Sequence, residues 1–219
     1  VSALSPDDIA RLAPDGRVER VARGARVLLD APAVTIVAEG WFRVFRNAAF
    51  VRDVTLVLAG PGEVLAPGAI FGDRSAESGA EAITSGRLLV VAAETLALYA
   101  AAVPGVYVAV ARSLARRTLA VQRKLEAFSR ATVEARVAGA LLELAGTAGS
   151  AVAGGAVRLE LPLSQEDLAG LAGTTRASCS AAVAALGRQG LVRGSRLRGL
   201  VLADLAGLAA VAAADFREA

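Results

Sequence analysis

Residues 164–192, SQEDLAGLAGTTRASCSAAVAALGRQGLV, hold two short helical patterns joined at one glycine, and they limit the fold more tightly than any other stretch. Ser164 is a preferred N-cap, and Asp167 stands three residues on, where a carboxylate meets the unpaired N–H groups of a first turn. Leu168, Leu171 and Ala172 make an apolar face at helical spacing. Gly173 ends this helix where a positive φ is wanted, and Thr174-Thr175 cap a second one running to about Leu186. In the second helix Cys179, Ala182, Val183 and Leu186 share a face. Arg176, Ala177, Ser180 and Ala181 are left on the outward side, near the N-terminus.

An amphipathic hairpin in an Ala-rich core has the same spacing, so the residues that follow carry weight. Gly190-Leu191-Val192 ends the second helix in an extended run. Arg193, Arg196 and Arg198 crowd a turn with Gly194 and Gly199, and Leu200-Val201-Leu202 returns as a strand. Between Leu168 and Ala203 the charged residues are Arg176, Arg188, Arg193, Arg196 and Arg198, with no acid among them. A helix-turn-helix followed by a basic β-hairpin wing predicts duplex DNA as partner: side chains at the start of the second helix reach base edges, and the arginines meet phosphates.

The chain of 219 residues is long enough for two domains, each with a core of its own. Its hydrophobic content, 55%, comes largely from Ala, and its longest charge-free run, 95–111, is interrupted by Pro104 and Gly105. That run does not make a membrane span. Asp7, Asp8 and Arg11 occupy the place where a secretory leader would be apolar, so the expected location is the cytoplasm. With one cysteine and no histidine, a disulfide framework and the usual zinc and haem ligand sets are excluded. The same absence removes the commonest general base, and no paired-carboxylate or phosphate-loop motif stands out; the expectation is a binding protein without cofactor or metal, not an enzyme.

Residues 24–91 read as short strands separated by Gly and Pro: 26–29, 33–38, 41–46, 52–58, 69–71, 80–84 and 88–91, a pattern of β-sandwiches and barrels. Ser5-Pro6-Asp7-Asp8 opens a short helix before them. From 105 to 131 the chain has no helix breaker. Tyr107, Val110, Leu114, Val121, Leu125 and Phe128 recur there at three- and four-residue steps, with Arg117 on an intervening seam position. This long amphipathic helix either packs on its own domain or forms a two-helix dimer seam. A further helix, 132–145, turns Val133, Val137, Leu141 and Leu144 inward, and the Gly- and Ala-rich stretch 146–155 reads as a flexible connection.

A β-roll, a long helix and a C-terminal winged helix in this order resemble the Crp/Fnr family of bacterial transcription regulators. The resemblance is most specific in 163–192, clear in TVEARVAGALLELA (132–145), and recognisable in the Glu39-Gly40 and Gly60-Pro61-Gly62-Glu63 turns. It implies an α+β chain: a cyclic-nucleotide-binding-like β-roll or jelly-roll sensor over 1–103, a dimerisation helix over 104–131 and a winged helix-turn-helix over 132–219. It implies a homodimer through the long helix, with operator DNA and RNA polymerase as partners. By position, Ser164, Gln165, Thr175 and Ser178 would lie near backbone phosphates together with Arg193, Arg196 and Arg198, leaving Arg176, Ala177, Ser180 and Ala181 for bases. Family members commonly carry an Arg-Glu pair at the start of the recognition helix and an Arg four residues after the Glu. Here Arg176 keeps the first while Ala177 and Ala181 replace the others, so the operator should differ; Arg176 can pair with a guanine and the alanine methyls can touch thymine.

The effector pocket departs further. Members that bind cyclic AMP hold the ribose with Gly-Glu and the cyclic phosphate with Arg-Ser or Arg-Thr. Alignment puts Ala66-Pro67 and Ser78-Gly79 at those positions, so the phosphate would lack its counter-charge. A shifted register through Arg74-Ser75 requires a large deletion. Regulation independent of cyclic AMP is the expectation, with gating by cyclic nucleotide or another small ligand in the β-roll as the alternative. Cys179 lies within the recognition helix, and its period predicts a buried small hydrophobe rather than a redox sensor. The competing class, a small-molecule-binding barrel with a helical appendage, is expected to carry His and Glu ligands when it is an enzyme, and the chain has no His.

Overall fold

The computed structural model describes residues 4–29, 32–48, 51–65, 67–71, 78–130, 132–194 and 199–214. Ser5 starts the first helix, α1 (Pro6–Leu12), with a reciprocal cap: its hydroxyl accepts the Asp8 N–H at 3.1 Å, and the Asp8 carboxylate accepts the Ser5 N–H at 3.1 Å. Pro6 falls where a helix N–H has no partner to lose. Seven strands follow: β1 (Gly16–Val21), β2 (Arg26–Leu28), β3 (Ala33–Glu39), β4 (Phe42–Ala48), β5 (Val51–Ala59), β6 (Ser78–Ala82) and β7 (Gly86–Ala92). They form two antiparallel sheets with strand orders β1-β7-β3 and β2-β6-β4-β5.

β3 and β7 of the β1-β7-β3 sheet are buried on both faces, which is why VTIV and LLVV do not alternate between apolar and charged residues. One face contributes Val37 and Leu88 to a core shared with Phe42, Val44 and Ala80 of the other sheet. The opposite face contributes Val34, Ile36, Leu89 and Val91 to a second core, closed by Leu12 of α1, by Leu96 and Ala100 of α2 (Ala93–Ala102), and by Val106, Ala109 and Val110 of α3 (Gly105–Arg130).

The remaining elements are α4 (Val133–Ala148), β8 (Gly149–Ala151), β9 (Val157–Leu159), α5 (Gln165–Ala172), α6 (Arg176–Arg188), β10 (Val192–Arg193), β11 (Val201–Leu202) and α7 (Leu205–Ala213). The four strands pair in the order β10-β11-β9-β8. Thr132 caps α4 by accepting the Ala135 N–H at 3.2 Å, and the helix buries Val137, Leu141 and Leu144 while Val133 is half-buried. Contacts divide the chain into two compact units, Val1–Val121 and Gln122–Ala219.

Two expectations need correction, and two elements lie outside the expected ones. Residues 69–71 belong to a 3₁₀ turn, Pro67–Phe71, and not to a strand; proline lacks the ladder donor and its φ suits a first helical turn. Residues 16–21 form β1, whose charged RVER pattern and edge position weaken the apolar signal. Residues 93–102 form α2, which begins at Ala92 with no side-chain cap. Finally, 146–155 is not a flexible connection: α4 continues to Ala148, then β8 pairs with β9 around Gly154 and Gly155, both at positive φ (80° and 76°).

Candidate nucleic-acid interface

The two helices of the turn are each fixed by local chemistry. Ser164 accepts the Asp167 N–H at 3.1 Å while the Asp167 carboxylate accepts the Ser164 N–H at 2.8 Å, a reciprocal cap for α5. Gly173 has φ 60° and ψ 47°, and beyond it the Thr174 N–H reaches back to the Ala169 carbonyl at 2.9 Å. A side chain at this φ is strained, so glycine ends α5 here. The Arg136 Nε on α4 donates to the Ala172 carbonyl at 3.2 Å, satisfying one of the orphan acceptors of that helix end. Thr175 then caps α6: its hydroxyl accepts the Ser178 N–H at 3.2 Å. Replacing Ser164 by Ala is expected to lower unfolding free energy by about 1 kcal/mol, measured by urea denaturation, with no change in the ordered elements.

The apolar face of α6 is where the spacing predicts it: Cys179, Ala182, Val183 and Leu186 are all buried. Burial, with the Glu166 carboxylate as a lesser cause, pushes the Cys179 thiol up to about 11. The thiolate needed for redox chemistry is therefore suppressed. Arg176, Ala177, Ser180 and Ala181 are exposed on the opposite face. Ser164 and Thr175 are exposed, and Gln165 and Ser178 are half-buried; the Thr175 and Ser178 hydroxyls are 3.0 Å apart and joined by a hydrogen bond.

At the wing, Val192 and Arg193 of β10 stand opposite Leu202 and Val201 of β11. Gly194 and Gly199, on either side of residues 195–198, have positive φ (106° and 82°). Arg193 is exposed; Arg196 and Arg198 lie outside the described residues. The structure adds a cation that the segment 168–203 does not contain. Arg158 on β9 also stands opposite Val201, on the side away from β10. Only cross-strand register brings it to the wing, so no linear motif contains it.

Among the described residues, the supposed effector positions show no charged side chain of their own. Ala66 lies outside the described residues, as does the shifted pair Arg74-Ser75; Pro67 is buried in its 3₁₀ turn. Ser78 is described only as backbone at the start of β6. Gly79 is buried beneath Phe45: a Cβ there would come within 2.6 Å of the Phe45 ring. The described guanidinium near this turn, Arg117 on α3, donates to the Leu65 carbonyl at 2.8 Å and the Val64 carbonyl at 2.6 Å. Burial and the neighbouring Arg116 push it down to about 10. Arg116 pairs with Glu63, whose other carboxylate oxygen accepts the Gly60 N–H at 3.0 Å.

The long helix needs a change of register from the expected seam. Val110 is fully buried in the core of its own unit, and Leu114 packs beside that core, because both lie on the stripe that closes the second face of the β1-β7-β3 sheet. Arg117 belongs to this inward stripe too, so it does not interrupt a seam. Tyr107, Val121 and Leu125 are exposed by 39%, 39% and 65%, which leaves them free for another surface. The Phe128 side chain lies outside the described residues. Among the described residues no helix is long and apolar enough to cross a membrane, and no group of His, Cys, Asp or Glu could hold a metal ion.

A family model for the Crp-like helix-turn-helix domain matches residues 135–211. The chain is 32% identical over 165 residues to the cyclic AMP receptor protein of Thermus thermophilus, covering 74% of this chain and 71% of that relative. It is 28% identical over 193 residues to a CRP-like cAMP-activated global transcriptional regulator of Mycobacterium tuberculosis, covering 87% of this chain and 86% of the relative. Among solved structures, FixK2 from Bradyrhizobium japonicum superposes with a TM-score of 0.75 at 24% identity, covering 91% of this chain and 98% of that one, a likeness of fold. Matching sequence over most of the chain, a shared fold and a capped helix-turn-helix with an acid-free wing together establish that this chain belongs to the Crp/Fnr family of DNA-binding transcription regulators.

Proposed function

We propose that the protein acts as a homodimer that reads an operator through α6 without needing cyclic AMP. The observation that carries the reading is the outward face of α6, where the exposed Arg176 stands at the N-terminal end beside Ala177, Ser180 and Ala181, with no carboxylate among them. A guanidinium there matches the two acceptors of guanine, and the short neighbours let the helix sit close to thymine methyls. Ser164, Gln165, Thr175, Ser178 and the wing arginines hold the backbone and set register.

Two copies pair through α3. The stripe runs through Tyr107, Ala111, Thr118, Val121, Leu125 and Phe128 at steps of three, four and seven residues, with the half-buried Leu114, which packs beside the inward core, at its edge; this is the period of a coiled-coil seam. This makes residues 104–131 the dimerisation segment between a sensor-like part, 1–103, and a reader, 132–219. Such a regulator works by binding, not catalysis, in the cytoplasm where the DNA is, and RNA polymerase is the protein it would meet there.

Independence from cyclic AMP is supported by Pro67 and by Gly79 beneath Phe45, which offer neither a ribose acceptor nor a phosphate counter-charge. Nucleotide gating is the competing reading, favoured by the names of the two sequence relatives. Selection from a random duplex pool, run with and without millimolar cyclic AMP, separates them. The expected result is one enriched two-fold symmetric sequence in both runs. Enrichment only with nucleotide overturns the independence, and no enrichment in either overturns sequence-specific reading by the chain as it stands.

A further inference from the structure

The sheet beside the wing has one buried face and one solvent face, and the two differ sharply in chemistry. Val192 of β10 and Leu202 of β11 are buried, and Val157 of β9, in register with Leu202, is half-buried. One residue along each strand, Arg193, Val201 and Arg158 are likewise in register, and Ser150 of β8 stands opposite Arg158. Residues directly opposite in antiparallel strands share a face, so Arg193, Val201, Arg158 and Ser150 form one row across four strands on the solvent side. Arg193, Arg158 and Ser150 are exposed. Neither guanidinium has a carboxylate partner among the described residues, Glu160 included. With strands about 4.8 Å apart, the backbone positions of the two arginines stand roughly 10 Å from each other.

We infer that this row is a second phosphate-holding surface, in which Arg158 and Ser150 carry the backbone of DNA flanking the bases read by α6. The inference rests on the reading of α6 as the base reader and extends it. Charge complementarity and continuity argue for DNA as the occupant. Arg193 is both the end of the row and part of β10, and the sequence that follows it carries Arg196 and Arg198, so a duplex held there has its continuing backbone beside a surface of the same sign. Arg158 contributes a charge and Ser150 a hydroxyl donor, the two groups that phosphate oxygens accept without regard to base. The surface thus lengthens the footprint without adding sequence preference.

The test uses the full chain and a duplex bearing the selected sequence, in a short form ending at the read bases and a long form with flanking pairs. Arg158→Ala should weaken binding to the long duplex and leave the short one nearly unchanged. It should flatten the dependence of log K on log salt by roughly 0.9 per lost contact. Arg158→Lys should restore most of the affinity, because a phosphate contact tolerates a point charge. Glu160→Gln should act in the opposite direction and tighten the long duplex. Arg158 is exposed, so thermal melting should match the parent in every variant. If Arg158→Ala binds both duplexes as the parent does, with an unchanged salt slope, the row does not touch DNA and the inference falls. If the parent protein itself binds neither duplex, the reading of α6 fails, a result distinguishable from the first.

Discussion

Exchanging Val121 and Leu125 for Asp is expected to convert the dimer into a monomer in sedimentation velocity and to weaken operator binding by roughly 10²- to 10⁴-fold, the loss that follows when two linked half-site contacts become independent. Both side chains are exposed in the single chain, at 39% and 65%, so aspartate there meets water while the chain is alone. In a seam it meets an apolar partner and its own like charge, which has no counter-ion to offset desolvation. The melting temperature of the monomer should therefore change little while the assembly is lost. Val110→Asp serves as the contrasting variant: that position is fully buried in its own unit, and a charge there should unfold the β-roll core rather than split a dimer. A double variant that stays dimeric places the seam elsewhere.

Arg176→Ala should lower affinity for the selected operator by about 1–3 kcal/mol per half-site and relax the preference at one base pair in each. The side chain is exposed and α6 is capped by Thr175, so neither the helix nor the core depends on it. Binding to a scrambled duplex should fall much less, because only one phosphate-range charge is removed from each protomer. Competition titrations against duplexes carrying each substitution distinguish the two effects. Intact preference at every position would show that α6 is not the reader. Uniform weakening on all duplexes would reduce Arg176 to a phosphate contact.

The features legible in the sequence are those fixed by chemistry within a few residues. Ser164 with Asp167, Gly173 and Thr175 each act on their own turn, and the inward face of α6 needs only its period to place Cys179. The helix α2 was not legible, because Ala92 provides no cap and an Ala-rich run carries no stripe. Residues 149–151 read as a linker because the partner that makes them a strand, β9, is across a turn of two positive-φ glycines. The long helix was legible as a helix but not as two surfaces: Val110 and Tyr107 are both apolar, and only the sheet packed against one of them tells them apart. Arg117 looked like a flaw in a zipper because its acceptors, the Val64 and Leu65 carbonyls, are backbone and leave no residue type to find.

Those two surfaces of α3 bear on a problem of crowding among paralogues. A cell that holds several chains of one architecture must keep each from pairing with the others, and the residues that decide pairing are ordinarily also under selection for folding. Here Val106, Val110 and Arg117 hold the helix to its own unit, while Thr118, Val121 and Leu125 are exposed and owe that unit little. Partner choice can therefore drift after duplication without loss of the fold. The same separation lets an engineer write mutually exclusive pairs into the outer stripe of one scaffold.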